Sequence, residues 1–129
     1  MSPAGCPFCP PLAARVFHES PLVLGIWDGF PISPGHALLI ARRHIESWFD
    51  ATPEEQSAIG SAIAAARAAI EERHRPDGFN VGMNLGLAAG QTVPHLHVHV
   101  IPRYVGDVPD ARGGVRWILP ARADYWTDR

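Results

Sequence analysis

Three histidines stand at every second position in one short stretch, His95-Leu96-His97-Val98-His99. A β-strand directs alternate side chains to opposite faces, so we expect the three imidazoles to share one face. Histidine changes its charge near neutral pH and can serve as nucleophile, proton carrier or metal ligand. A chance alternation on a half-exposed strand is the alternative interpretation, but no other stretch collects so many titratable groups. We therefore take this stretch as the candidate centre of the chemistry.

Two cysteines near the start of the chain form a second candidate group, Cys6-Pro7-Phe8-Cys9. This spacing supplies half of a tetrahedral zinc site. A redox pair is one alternative, but such pairs normally begin a helix, and Pro10-Pro11 disfavours a helix here. Two cysteines without a special role are the other alternative. Since there is no third cysteine, any remaining zinc ligands must be histidines.

Length and composition fit one ordinary globular domain that buries roughly two thirds of the surface of its unfolded chain. The net charge of −2 gives no electrostatic argument for a nucleic-acid or membrane partner. All 11 basic residues are arginines. A catalytic lysine and a lysine phosphate clamp are thereby excluded, so arginine or backbone amides would have to take the place of lysine.

Targeting signals are not recognisable in the sequence. The N-terminus lacks a basic start followed by an apolar run, and the longest Ala/Ile stretch, 62–70, is interrupted by Arg67. That stretch is also too short to span a bilayer. We therefore expect a cytoplasmic protein, in which the two cysteines need not form a disulfide.

Apolar periodicity predicts the elements that must position these groups. Strands are expected over 15–19, 22–27, 36–41 and 79–84, before the histidine stretch. Thr52-Pro53-Glu54-Glu55 predicts a helix start with a capping box, and the helix should run to about His74. The loop 85–90 suggests an antiparallel hairpin into the histidine stretch. As an isolated phosphate-binding signal its glycines are weak.

Residues 91–103 resemble the signature of the histidine triad (HIT) family, His-φ-His-φ-His-φ-φ with φ apolar. Here the signature reads His95-Leu-His97-Val-His99-Val-Ile. The resemblance extends to 33–40 and 77–93 and covers most of residues 6–110. Pro102-Arg103-Tyr104 is similar to the branch that includes the fragile histidine triad hydrolases.

The resemblance implies an α+β fold, a five-stranded antiparallel sheet with one long and one short helix. It also implies a homodimer. We expect a single HIT domain over residues 1–129, with its core at about 6–110. Residues 111–129 would form a tail packed on the domain or on the dimer partner.

The family also suggests a role for each polar group. The middle histidine, His97, would be the nucleophile that attacks the α-phosphorus of a nucleotide, since a neutral imidazole is a good nucleophile. His99 and Gln91 would contact phosphate oxygens and assist the leaving group, and His36 would act behind them as a polar relay. Further substrate contacts are implied at Asp28 for the ribose, Asn84 for phosphate or ribose, and Ile26 and Leu38 for the base. A plain core role is an equally good interpretation for the last two.

Zinc in many bacterial members is bound by a Cys-x-x-Cys pair, a histidine after the third strand and the first triad histidine. These ligands correspond to Cys6, Cys9, His44 and His95. Four protein ligands would make the Zn²⁺ site closed and structural. His18 and His74 have no counterpart in the family pattern.

The leading hypothesis is a hydrolase or nucleotidyl transferase that acts on adenine nucleotide conjugates, of which dinucleoside polyphosphates are the favoured class. A nucleoside phosphoramidase is the enzymatic alternative. A purine-nucleotide-binding module with little turnover, or a zinc-stabilised interaction protein, are alternatives from other classes. The three intact triad histidines disfavour the last two.

Overall fold

The computed structural model describes residues 3–127 as a five-stranded antiparallel sheet with two α-helices, which confirms the predicted α+β fold. The helices and strands are β1 (Val16–Glu19), β2 (Val23–Trp27), β3 (Ala37–Ala41), α1 (Pro53–Glu71), β4 (Gly78–Gly82), β5 (His97–Arg103) and α2 (Pro120–Ala123). Their order across the sheet is β1-β2-β3-β5-β4. Short 3₁₀ helices lie at Ala13–Arg15, Trp48–Asp50, Leu87–Ala89 and Gly114–Ile118.

Helix α1 covers one face of the sheet. Its buried stripe of Ile59, Ala62, Ala66 and Ile70 packs with the side chains that the strands direct to that face. Every residue of β3 is buried, as expected for the central strand of the sheet. The alternating burial of β5 places Val98 and Val100 in this core and its histidines on the other face.

The start of α1 forms as its sequence predicts. Thr52 accepts from the Glu55 backbone N–H, and the Glu55 carboxylate accepts from the Thr52 N–H, which completes the capping box. The helix ends at Glu71, three residues before the predicted end. The N–H groups of Arg73 and His74 both donate to the carbonyl of Ile70, which closes the last turn.

The histidine strand is shorter than the sequence pattern predicts, because β5 begins at His97 rather than before His95. The backbone of Leu96 pairs outside β4, donating to the carbonyl of Ile45 and accepting from the N–H of Ala41. The partner strand β4 has already ended at Gly82, which faces His99. His95 therefore lies on the approach to the strand, and its side chain is fully buried.

The C-terminal tail packs largely on itself. Trp117 donates its indole N–H to the carbonyl of Arg112, and Arg116 donates to the carbonyl of Ala123. Against the sheet, a Cβ at Gly114 would lie 3.1 Å from Nδ2 of Asn80 in β4. Residues 1–2 of the predicted domain and 128–129 of the predicted tail lie outside the described residues. Within 3–127, no helix is both long and apolar enough to cross a membrane.

Candidate active site and metal centre

Four electron-pair donors converge beneath the start of β5. Nδ1 of His95 lies 3.4 Å from Sγ of Cys6, 3.3 Å from Sγ of Cys9 and 3.1 Å from Nδ1 of His44. The Cys9 sulfur is also 3.3 Å from Nδ1 of His44. Tetrahedral zinc with ordinary bond lengths separates its ligand atoms by roughly 3.3–3.8 Å. The residues predicted as metal ligands thus form a cluster that can hold a metal ion.

The protonation of His95 fits this role. Its Nε2 lies 2.6 Å from the carbonyl of Ala41, and a carbonyl can only accept, so Nε2 carries the proton. Nδ1 therefore presents a lone pair to the cluster. Burial lowers the pKa of His95, which favours the neutral ring that binds metals. A carbonyl partner of this kind fixes the orientation of a metal-binding imidazole.

The segment that carries His44 is tied to the start of α1. Nη2 of Arg43 lies 2.7 Å from Oε1 of Glu55, whose side chain is almost fully buried. The Arg43 guanidinium, through its hydrogen bonds, holds the pKa of the Glu55 carboxyl below its usual range. Glu55 therefore links the helix cap to the residue next to a candidate ligand.

His97 is held in a single tautomer. Its Nδ1 donates to the carbonyl of His95 over 2.7 Å. Nε2 therefore carries the lone pair, and no described residue forms a hydrogen bond with it. The ring of Phe8, from between the two cysteines, packs against His97 at 5.2 Å and edge-on against His95 at 5.7 Å, centroid to centroid.

A hydrogen-bonded chain runs from a loop to His99. The N–H of Ile32 donates to Nδ1 of His36, so the proton of a neutral His36 is on Nε2. That Nε2 lies 2.9 Å from Nδ1 of His99 and 3.3 Å from Oδ2 of Asp28. The shorter contact orients His99 with its own proton on Nε2. Burial lowers the pKa of both histidines, which favours their neutral forms.

The loop before His36 depends on a glycine. Gly35 has a φ of +88°, and a Cβ there would lie 2.9 Å from Cδ2 of His74. Glycine adopts this conformation without strain, whereas other residues do so only at a cost. His74 therefore packs against the turn at Gly35 that leads into His36, a contact that the sequence did not indicate.

A cavity of about 760 Å³ brings most of the predicted site residues together. Those that line it are Ile26, Asp28, His36, Leu38, Asn84, His97 and His99. The sheet register explains part of this arrangement, because Ile26, Leu38 and His99 are direct neighbours on three adjacent strands. Asp28 keeps one carboxylate oxygen on the N–H of Phe30 and the other near His36.

Gln91 is the predicted site residue that does not reach this cavity. Its Oε1 accepts from the N–H of Gly86, and its Nε2 donates to the carbonyls of Glu46 and Val93. These three bonds hold the loop 86–93 in shape. The phosphate contact assigned to Gln91 stays a prediction that would require these bonds to break.

Several cavity residues were missed by reasoning from the sequence. They are Pro7, Phe8, Arg15, Gly29, Phe30, Ile32, Asn80, Val81, Gly82, Met83, Thr92, Val93, Ile101, Val115 and Ile118. The position of Phe8 inside the Cys-x-x-Cys motif was a usable signal, because metal binding would fix it near His95. Nothing in the local sequence of Val115 or Ile118 indicates that the tail returns to the histidines.

Comparison with known proteins places these features in context. A family model described as the HIT domain matches residues 11–106. A Schizosaccharomyces pombe protein named asymmetrical bis(5'-nucleosyl)-tetraphosphatase is 36% identical over 97 residues, which are 75% of this chain and 53% of that protein. A Mycobacterium tuberculosis protein named AP-4-A phosphorylase is 39% identical over 87 residues, covering 67% and 45%. This chain thus spans about half the length of these two relatives.

A solved structure is similar over nearly the whole chain. It is a zinc-bound histidine triad family protein from Mycobacterium smegmatis, 34% identical, with a TM-score of 0.71. The match covers 91% of this chain and 92% of that one.

Proposed function

The chain belongs to the HIT domain family, and from this premise we propose that it is a nucleotide hydrolase or nucleotidyl transferase acting at the α-phosphate of adenine nucleotide conjugates. Dinucleoside polyphosphates are the proposed substrate class. The observation that carries the proposal is the tautomer of His97, whose Nδ1–H is bound to the carbonyl of His95. This bond leaves the Nε2 lone pair available for attack.

The proposed reaction has two steps, formation and breakdown of a nucleotidyl-histidine. Nε2 of His97 forms a bond to the α-phosphorus, the bond from phosphorus to the bridging oxygen breaks, and the remaining phosphates leave with the second nucleoside. Water, or another acceptor hydroxyl, then attacks the phosphorus of the nucleotidyl-histidine, and the bond from phosphorus to Nε2 breaks. The nucleoside monophosphate or its transfer product leaves, His97 returns to its neutral form, and the proton of the attacking hydroxyl balances the charge on the phosphate released in the first step. The positive charge that His97 gains through phosphorylation at Nε2 is stabilised by its bond to the His95 carbonyl.

His99 supplies the complementary hydrogen-bond donor. The chain from Ile32 through His36 leaves its Nε2–H free to donate to a phosphate oxygen or to the departing oxygen. This hydrogen bond keeps the proton on the neutral imidazole and stabilises the negative charge that develops on the leaving phosphate. His36 acts as a positioning residue, since it contacts His99 rather than the reacting atoms.

The nucleoside half is proposed to occupy the β2 and β3 side of the cavity. Ile26 and Leu38 present an apolar surface for the base, and they belong to one buried cluster with Leu24 and Ile40. The carboxylate of Asp28 can accept from ribose hydroxyls. Asn84 is proposed to contact phosphate or ribose from the opposite wall.

Zinc is the proposed occupant of the Cys6, Cys9, His44 and His95 cluster. Thiolate and imidazole ligands in this number are those of a closed structural zinc site. When bound, the ion would cross-link the N-terminal segment to the approach of β5 and hold Phe8 against His97. A homodimer, a cytoplasmic location and a single domain over 1–129 remain part of the proposal.

A substrate panel with matched nucleoside halves tests the proposal. Diadenosine polyphosphates and adenosine phosphoramidate are compared at equal concentration, with AMP release measured by chromatography. We expect faster turnover of the diadenosine polyphosphates. Faster turnover of the phosphoramidate would indicate a phosphoramidase instead. Binding of AMP without turnover of either compound would indicate a nucleotide-binding module.

A further inference from the structure

The C-terminal tail contributes to the cavity although it lies beyond the matched family region. That match ends at residue 106, whereas Val115 and Ile118 of the 3₁₀ helix Gly114–Ile118 line the same cavity as His97 and His99. Both side chains are largely exposed, 59% for Val115 and 78% for Ile118. Apolar side chains that line a cavity and remain open to solvent are available to a ligand.

The register of the sheet shows the order in which residues follow one another along the cavity. Ile26, Leu38, His99 and Gly82 form one row across β2, β3, β5 and β4. Three interstrand spacings make this row roughly 14 Å long. His99 lies between the proposed nucleoside side and the β4 side, where Asn80 and Ile101 pair.

The two ends differ in charge. Arg15 and Asp28 lie at the nucleoside end. At the β4 end the lining residues carry no charge; they are Asn80, Val81, Gly82, Met83, Ile101, Val115 and Ile118. None of them is cationic, and the neighbouring Arg103, which donates to Asn80 over 2.7 Å, is already paired with Asp107. A planar, uncharged group would find apolar contacts at this end.

The tail is held firmly enough to form a wall. Gly113 has a φ of +87°, and a Cβ there would lie 3.0 Å from the ring of Trp126. Arg116 donates to the carbonyls of Arg122 and Ala123, which fixes the 3₁₀ helix on α2. Trp117 of the same helix does not line the cavity, and its indole N–H donates to the carbonyl of Arg112.

We propose that Val115 and Ile118 form an apolar subsite for the group released from the α-phosphorus, and that this subsite selects conjugates whose released half ends in a planar base. The inference rests on the proposed function. The phosphorus at His97 joins both halves of the substrate, so with one nucleoside on the β2 and β3 side the released half extends toward β4. Its phosphates would span the histidines, and its base would contact Val115 and Ile118.

Binding without turnover tests the subsite. The probes are AMP and a diadenosine tetraphosphate analogue with methylene bridges in place of the bridging oxygens, measured by isothermal titration calorimetry. The double variant Val115→Ser/Ile118→Ser should bind the analogue about tenfold more weakly and AMP within twofold of the wild type. Leu119→Ser is the matched control, because Leu119 is 66% exposed on the same tail and does not line the cavity.

Three results would overturn the subsite. These are unchanged binding of the analogue, an equal loss for AMP and the analogue, and a change of oligomeric state in sedimentation, which would assign this face to a partner subunit. A wild-type protein that binds neither probe would overturn the proposed function as well. Wild-type binding of both probes without discrimination by the variant would overturn the subsite alone.

Discussion

The carbonyl of His95 accepts the Nδ1 proton of His97 over 2.7 Å, while the side chain of His95 turns its own Nδ1 toward two cysteines and a histidine. His95 therefore contacts both the candidate metal ligands and the candidate nucleophile. Its backbone sets the tautomer of His97, and its side chain is positioned by the cluster. Metal binding at this cluster would therefore be coupled to the orientation of His97 through this residue.

The metal cluster predicts a combined loss of metal and stability in Cys9→Ser. The hydroxyl is a poor replacement for a thiolate, and the free energy of metal binding is shared with folding. We expect zinc to be absent by elemental analysis and the melting temperature to fall by roughly 10 °C or more. His18→Ala, a histidine outside the cluster, should retain the metal. Full zinc content in Cys9→Ser would refute the ligand assignment.

The buried, hydrogen-bonded pair of His36 and His99 predicts a pH dependence of stability. Burial lowers the pKa of His36 and His99 in the folded state, so the unfolded chain binds more protons below the ordinary histidine pKa of about 6.5. The free energy of unfolding should therefore be fully retained above that pH and decrease as the pH falls through the lowered values. Urea unfolding at pH 7.5 and 5.5 measures the difference.

The variant His99→Asn isolates the contribution of His99 to this pH dependence of the free energy of unfolding. Both proteins are compared without metal in the presence of a chelator, because protonation of the metal ligands acts in the same pH range. The variant should lose less stability between the two pH values than the wild type. Equal losses in the two proteins would show that His99 does not carry the effect.

The ion pair between Arg43 and Glu55 predicts a cost for Arg43→Ala. Removing the guanidinium leaves a buried carboxylate with only its capping bond, so we expect a lower urea midpoint, although the exposure of half of the Arg43 side chain limits the size of the loss. Since the pKa of Glu55 is lowered in the fold, this loss should be present at neutral pH and shrink as the carboxyl becomes protonated.

Arg67→Ala is the comparison for this pair. Arg67 forms an exposed pair with Glu71 one helical turn away, and its removal should leave the urea midpoint nearly unchanged. Chemical denaturation of both variants gives the two values. If Arg43→Ala loses no more stability than Arg67→Ala, the pair of Arg43 and Glu55 stabilises the fold no more than an exposed ion pair does.

The sequence predicted those parts of the fold that depend on local pattern. The capping box at Thr52 and Glu55 formed as expected because its partners are three residues apart. Strand bounds agreed to within two residues for β1 to β4, since each strand is an apolar run bounded by turn residues. The alternation of His95, His97 and His99 predicted a longer β5, but alternation does not reveal where the partner strand ends.

The sequence predicted the residues that line the site less well, because these depend on the direction of each side chain and on segments that are distant in the sequence. The amide of Gln91 bonds to Glu46, a residue far away in sequence, and this contact turns it from the cavity. Val115 and Ile118 reach the cavity only because the tail folds back over β4 at Asn80. The cluster of Cys6, Cys9, His44 and His95 was expected from the family resemblance rather than from spacing.

The central claim is that His97 forms a covalent bond to the α-phosphorus, and mass spectrometry of a rapidly quenched reaction with diadenosine tetraphosphate tests it most directly. We predict a nucleotidyl adduct on the peptide that contains His97. In His97→Ala we predict no adduct and turnover reduced roughly 1,000-fold or more, with metal content and AMP binding retained. An adduct on another residue, or undiminished turnover in His97→Ala, would contradict the account.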